Sequence, residues 1–294
     1  MKFRASLSFL ILIVSSFVWY SCNDEKLVYE PEEIDSLTYD TTYIDTNLPN
    51  NILKNVLVEH IAGVRSSNCP NASKLIEDIQ SNHDVGRVVG LTLHSEKYGV
   101  FTSPYTESQD SFNTSEATLI SQYLIGDVNG LPSGAVDRKL FSENNKVNMY
   151  TNSWEKFVNI QLNDSAQVGL KIATEHYQRR KYLVYVRTSF IVAQNTPTNL
   201  SLFLVEDHIL SAQLSSNRVI DQNYEHNSIL RFGFTPYDGE LLRSKIAVDQ
   251  VFEKGLVVDI PENFNVENCS IVAIVNKNDS SDEVLQCLKF PLVH

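Results

Sequence analysis

The sequence predicts an α/β unit followed by an all-β unit. Two patterns predict this: apolar β-branched runs alternate with helical periodicity in the first half, and strand-like segments follow one another at short spacing in the second. Composition agrees, because 43% hydrophobic and 10% aromatic residues are enough to bury a core, which excludes disorder as a description of the whole. With only 11 glycines and 9 prolines in 294 residues, collagen-like and linker-rich architectures are excluded as well. The formal charge of −12 argues against a nucleic-acid partner, whose phosphates call for a surplus of Lys and Arg.

The N-terminus is expected to stand apart. Residues 1–21 hold Lys2 and Arg4 but no acid, then an apolar run from Leu7 to Tyr20, then Ser21 directly before Cys22. This is the order of a secretory signal, and the run is shorter than the roughly 20 residues needed to span a bilayer. The WYSC border resembles the processing site of bacterial lipoproteins, which are cleaved before a cysteine that then carries acyl chains. The resemblance implies lipidation of Cys22 and attachment to the membrane through that anchor. Residues 22–50 are expected to be an acidic, self-repelling tether. Asp24, Glu25, Glu30, Glu32, Glu33, Asp35, Asp40 and Asp45 face a single base, Lys26. The run CNDE resembles the acidic signals that send lipoproteins to the cell surface in Bacteroidetes.

The first folded unit is expected over residues 51–163. NVLVEHIAG from Asn55 reads as a buried strand. Asn68 and Pro70 then open a helix whose apolar face is Ala72, Leu75, Ile76 and Ile79. RVVGLTLH, Arg87 to His94, is a second buried strand. The polar and aromatic stretch up to Asn113 is long for a connector, and is either a binding loop or a disordered insertion. TSEATLISQYLIG is a helix opened by Thr114, GLPSGAVDRK leads into a further strand, and NSWEKFVNIQLN (152–163) is a last helix.

A strand, a loop ending in Cys69 at a helix start, and a Leu131-Pro132 step before another strand look like a thioredoxin fold with its cis-proline loop. More closely, VLVEHIAGVRSSNCPNAS, LPSGAVDR and HNSILR are similar to the Bacteroidetes outer-membrane lipoprotein family called outer-membrane protein twenty-eight, over roughly residues 52–294. In that family the first segment commonly reads G-x-x-C-x-x-C-P and the second P-x-G-x-x-x-R. The resemblance makes Ser66, Cys69, Pro70 and Pro132 a degenerate redox motif. Ser66 stands where the first thiol would fall, and a serine hydroxyl is far too weak an acid to attack a disulfide. Pro132 is placed by the same resemblance opposite the cysteine loop, where a bound peptide strand would pair.

The second folded unit is expected over residues 164–294 as an antiparallel β-sandwich of immunoglobulin-like type. It is built from AQVGLKIATEHY, KYLVYVRTSFIVA, NLSLFLVEDHIL, SILRFGF, KGLVVDI, CSIVAIVN and EVLQCLKF. Cys269 and Cys287 flank a hairpin. With the turn centred near Asn278 they lie nearly opposite, either as a cross-strand disulfide or as two small core thiols.

The seven histidines show no H-x-x-x-H or C-x-x-H spacing, and no nucleophile elbow, Walker loop or Rossmann glycine series occurs, so neither metal nor cofactor is expected. The function these features point to is a non-enzymatic, lipid-anchored outer-membrane lipoprotein, exposed at the cell surface, that binds a protein or peptide. Two alternatives stand beside it: an exported thiol oxidoreductase or disulfide-handling chaperone working through Cys69, and an adhesin for carbohydrate or host protein.

Overall fold

The computed structural model describes residues 38–49, 51–107, 109–144 and 146–294. The expected signal segment and Cys22 lie outside the described residues. In the first half, β2 (Val56–Ile61) and β3 (Val88–Leu93) contain no exposed position. They pair in parallel from Val56 opposite Val88 to Ile61 opposite Leu93, as strands covered on both faces do. Between them runs α1 (Cys69–Ser81), with proline in its first turn. A 3₁₀ turn and the short α2 (Gly99–Thr102) follow β3, so the connector read as a loop or a disordered insertion carries ordered turns.

The helix α3 (Ser115–Leu119) opens where Thr114 Oγ1 accepts the Ala117 N–H, and it continues as a π-turn to Leu124. β4 (Ser133–Val136) lies antiparallel to β2, opposite Val58 to Ile61. α4 (Trp154–Leu162) sits inside the helix read from the sequence.

Two layers of side chains sandwich these strands. On one face Ala72, Ile76 and Ile79 of α1 and Trp154 and Phe157 of α4 pack on Val56, Val58, Val88 and Val136. On the other, Ala117, Ile120 and Leu124 pack on Leu57, Ile61, Val89 and Leu91.

The rest of the chain is almost entirely strand. β5 (Val168–Gln178), β6 (Lys181–Phe190) and β12 (Gln250–Asp259) form an antiparallel sheet whose edge is β1 (Tyr39–Ile44), in the order β1-β12-β6-β5. The expected tether over 22–50 is therefore corrected at its C-terminal end. Tyr39, Thr41, Thr42, Tyr43 and Ile44 are aromatic or β-branched, and β12 offers them an unpaired edge, which outweighs the charge of Asp40 and Asp45. The ring of Tyr39 lies where a Cβ on Gly255 would come within 2.4 Å, so the strand docks because its partner position has no side chain.

β7 (Thr198–Glu206), β10 (Ile229–Gly233), β13 (Cys269–Lys277) and β14 (Val284–Pro291) join β2, β3 and β4 in one eight-stranded sheet, with β11 (Glu240–Arg243) on β7. The main path is β14-β13-β7-β10-β3-β2-β4. β10 is the joint, antiparallel to β7 and parallel to β3 through Ile229 and Thr92. β7 is buried on both faces. Leu200, Leu202 and Leu204 meet the four-stranded sheet, while Phe203 and Val205 share a core with α3. The expected boundary at 163/164 is crossed by this sheet, and the described residues belong to one compact unit.

A separate two-stranded hairpin, β8 (Ile209–Leu214) and β9 (Ile220–His226), completes the structure.

The disulfide considered for Cys269 and Cys287 is absent, and both are free. Lys277 hydrogen-bonds Glu283 across a turn later than the one assumed, and a bulge follows at Val275/Asn276. Cys287 thus opposes Ile274, five positions from Cys269. An odd offset reverses the face, and the two thiols belong to different cores.

Candidate functional site

The end of β2 delivers Ala62 and Gly63 into a loop that reaches α1 at Cys69. A Cβ on Gly63 would come within 2.6 Å of the Phe101 carbonyl, so glycine is what lets this loop press against the segment after β3. Arg65 locks the same contact. Its N–H donates to Phe101 O, its guanidinium to the carbonyls of Ser103 and Pro104, and its charge rests 4.3 Å from the Tyr105 ring.

The structure brings Ser66, with Cys69 and Pro70 after it, beside the Leu131-Pro132 step. Ser66 is buried and its hydroxyl donates to Leu131 O at 3.4 Å, which ties the loop to the Leu131-Pro132 step, whose peptide bond is cis. Pro70 occupies the first turn of α1, and Cys69, at its N-terminus, is only 3% exposed. Burial pushes the Cys69 thiol up to about 11, although the Ser66 hydroxyl and the Gly63 backbone pull the other way. At neutral pH the sulfur is a protonated thiol and therefore a poor nucleophile.

A second feature seals the loop. Leu214 N–H of β8 donates to Val64 O at 2.7 Å, and the Gln213 amide donates to Ser66 O at 3.1 Å and Gly63 O at 3.4 Å. Gln109 holds the hairpin from outside through Ser211 Oγ and Ala212 O, both at 2.9 Å. Tyr224 of β9 hydrogen-bonds Ser73 of α1. The hairpin thus pairs Val64 O and gives Gly63 O and Ser66 O, which already accept the Ser66 and Cys69 N–H groups, a second donor. Gln109 and Gln213 carry no sequence signal: a glutamine in a polar connector and one in a strand look ordinary until the two segments meet.

A buried charge system lies along β2 and the end of β4. Arg138 Nε and Nη2 meet the Glu59 carboxylate at 2.7–3.1 Å, with both side chains fully buried. Next to it Lys54 Nζ lies 3.0 Å from Asp137, whose carboxyl is raised to about 6 by burial in spite of the lysine. Gly134 is required here, since a Cβ would fall 1.9 Å from Glu59 O. The glycine and arginine of P-x-G-x-x-x-R therefore both converge on Glu59, within the strand that carries the first motif. The available signal was Glu59 itself, an acid in a run otherwise read as buried strand, which needs a partner.

His60, His94 and His226 are buried. His60 packs edge-on to Trp154, while Phe112 lies between His94 and His226. Burial lowers His60 to about 3 and His226 to about 4. Among the described residues no three His, Cys, Asp or Glu side chains converge as a metal site would require.

The mixed eight-stranded sheet with its second sheet is a fold similar to that of HBP35 of Porphyromonas gingivalis. That structure aligns with a TM-score of 0.63 at 14% identity, over 83% of this chain and 77% of the other. A domain of the outer membrane lipoprotein Omp28 from the same organism aligns at 17% identity over 43% of this chain and 88% of that one, with a TM-score of 0.29. No curated protein matches the sequence. The class is an outer membrane protein. The family model named Outer membrane protein Omp28 matches residues 116–291, more than half of the chain, and the chain belongs to that family.

Proposed function

We propose that this outer membrane protein is a non-enzymatic lipoprotein, anchored through acyl chains on Cys22 and facing the cell exterior, that binds a protein or peptide partner. The observation that carries this reading is the sealed loop: Cys69 is buried with a raised pKa, Ser66 stands beside it, and β8 and Gln213 occupy the neighbouring carbonyls. We read the β2-α1-β3 unit, with β4 antiparallel on β2, as thioredoxin-like, and the two sheets around β7 as a β-sandwich of immunoglobulin-like type. On such a framework the retained geometry serves recognition. The exposed apolar side chains Leu210, Val219 and Ile220 give the hairpin a contact surface.

The test is thiol chemistry on the full chain beside its location in cells. Native protein is expected to leave insulin disulfides intact and Cys69 unlabelled, and Cys22→Ser is expected to leave the membrane fraction. Insulin reduction that disappears in Cys69→Ala would establish the oxidoreductase instead. Partner capture by crosslinking on intact cells is expected to fall in Leu210→Asp and Val219→Asp.

A further inference from the structure

Away from the hairpin, the edge of the sheet beyond β4 borders a cleft of about 400 Å³. Ligand pockets start at roughly 300 Å³, so the cleft suits one or two small rings. Its walls are unusual in kind. Four asparagines, Asn129, Asn144, Asn148 and Asn152, line it together with Lys146 and Tyr150.

The hydrogen-bonding capacity of these amides is largely unspent. Asn144 Nδ2 is buried with no partner among the described residues. The Asn148 amide donates to the carbonyls of Ile125 and Asp127, which fixes the side chain and leaves its oxygen as an acceptor. Asn152 uses only its oxygen, weakly, toward Ser153 at 3.5 Å. A buried donor without a partner is costly, so a polar ligand that accepts from it gains by binding.

Chemistry then narrows the ligand. The cleft has no carboxylate in its lining, which disfavours a cation, and one lysine without arginine is too little for a phosphate. Tyr150, 59% exposed, is its one aromatic, which is too few for a large apolar molecule. Amides that both donate and accept match hydroxyl groups that do the same, and an exposed ring matches the apolar face of a pyranose. A neighbouring cavity of about 360 Å³ shares Lys146 and Asn148, carries a second exposed ring, Tyr123, and adds the carboxylates of Asp127 and Asp282, which accept from sugar hydroxyls. We infer that these two cavities are adjoining subsites for a saccharide of at least two residues.

This site is separate from the hairpin surface, so it stands or falls independently of the partner reading above. Saturation-transfer NMR on the full chain with cellobiose, chitobiose and digalacturonate as probes tests it. At least one disaccharide is expected to show transfer, and Tyr150→Ala to weaken it about tenfold or more. Because Tyr150 is exposed, its loss leaves the fold in place. Asn144→Ala gives a second reading from another lining residue, with the same expected direction. Silence from all three disaccharides at millimolar concentration would overturn the assignment. So would binding that neither variant alters, or a trialanine probe that binds here while every sugar fails.

Discussion

Glu59 and Arg138 show how much of the site rests on single residues. Each is fully buried, and each is stable as an ion only because the other is present. Arg138→Met is therefore expected to destabilise the protein by about 3–5 kcal/mol, because the remaining carboxylate is buried without compensation. The double variant Glu59→Gln, Arg138→Met should recover part of that loss, and urea midpoints compare the two. His226 makes a second prediction. Its folded pKa of about 4 lies below the ordinary 6.5, so above pH 6.5 both states are neutral and it contributes no slope. As pH falls from 6.5 toward 4 the unfolded chain takes up a proton that the folded chain refuses, and stability drops. His226→Phe should remove about 1.4 kcal/mol per pH unit of that decline. An unchanged pH slope of the urea midpoint in this variant would show that His226 titrates freely. The acid at 59 and the arginine at 138 were both visible in the sequence, but their meeting depends on β4 lying beside β2, which no local pattern states.

At the scale of elements, legibility follows burial. Strands β6, β7 and β13 and the second half of β12 are rich in apolar residues, and α1 shows an apolar face, so these are legible in the sequence. The strands missed, β1, β9 and β11, have almost no buried side chain and are held by backbone pairing with a neighbour. Their existence is decided by which edge is vacant, and a sequence window does not carry that information. The hairpin belongs to this group in part, since β8 was read as the tail of β7 and β9 was not read at all. Its closure is testable. Gln213→Ala removes the side-chain hydrogen bonds to Gly63 and Ser66, each contributing about 1 kcal/mol. Local opening should then become easier, and maleimide should label Cys69 about thirtyfold faster than in the wild type, with Cys269 and Cys287 still protected. Equal labelling rates would mean that the cysteine is shielded by α1 alone.

The whole molecule differs most from the sequence reading where the two expected units meet. A change from helix-strand alternation to successive strands was legible at 163/164, and composition does change there. What could not be read is that β10 lies between β7 and β3, paired with both, and so fuses the two halves into one sheet. Phe203, Val205 and Ile274 from the second half share a core with Leu57, Ile61 and Ile120 from the first. Separate fragments 51–163 and 164–294 are accordingly expected to lack native near-ultraviolet circular dichroism, while the whole chain unfolds in a single transition. An independently folded 51–163 would restore the two-domain description.

The bond from Leu214 to Val64 has a further consequence for any partner that approaches this loop. The hairpin is an occupant that can never diffuse away, and a covalently linked segment of this kind acts at an effective concentration of millimolar order. A free peptide binding the same carbonyls would compete with that standing occupancy, so casual encounters with unfolded chains would leave the loop untouched. Only a ligand that also grips other surfaces would gain enough to displace the hairpin.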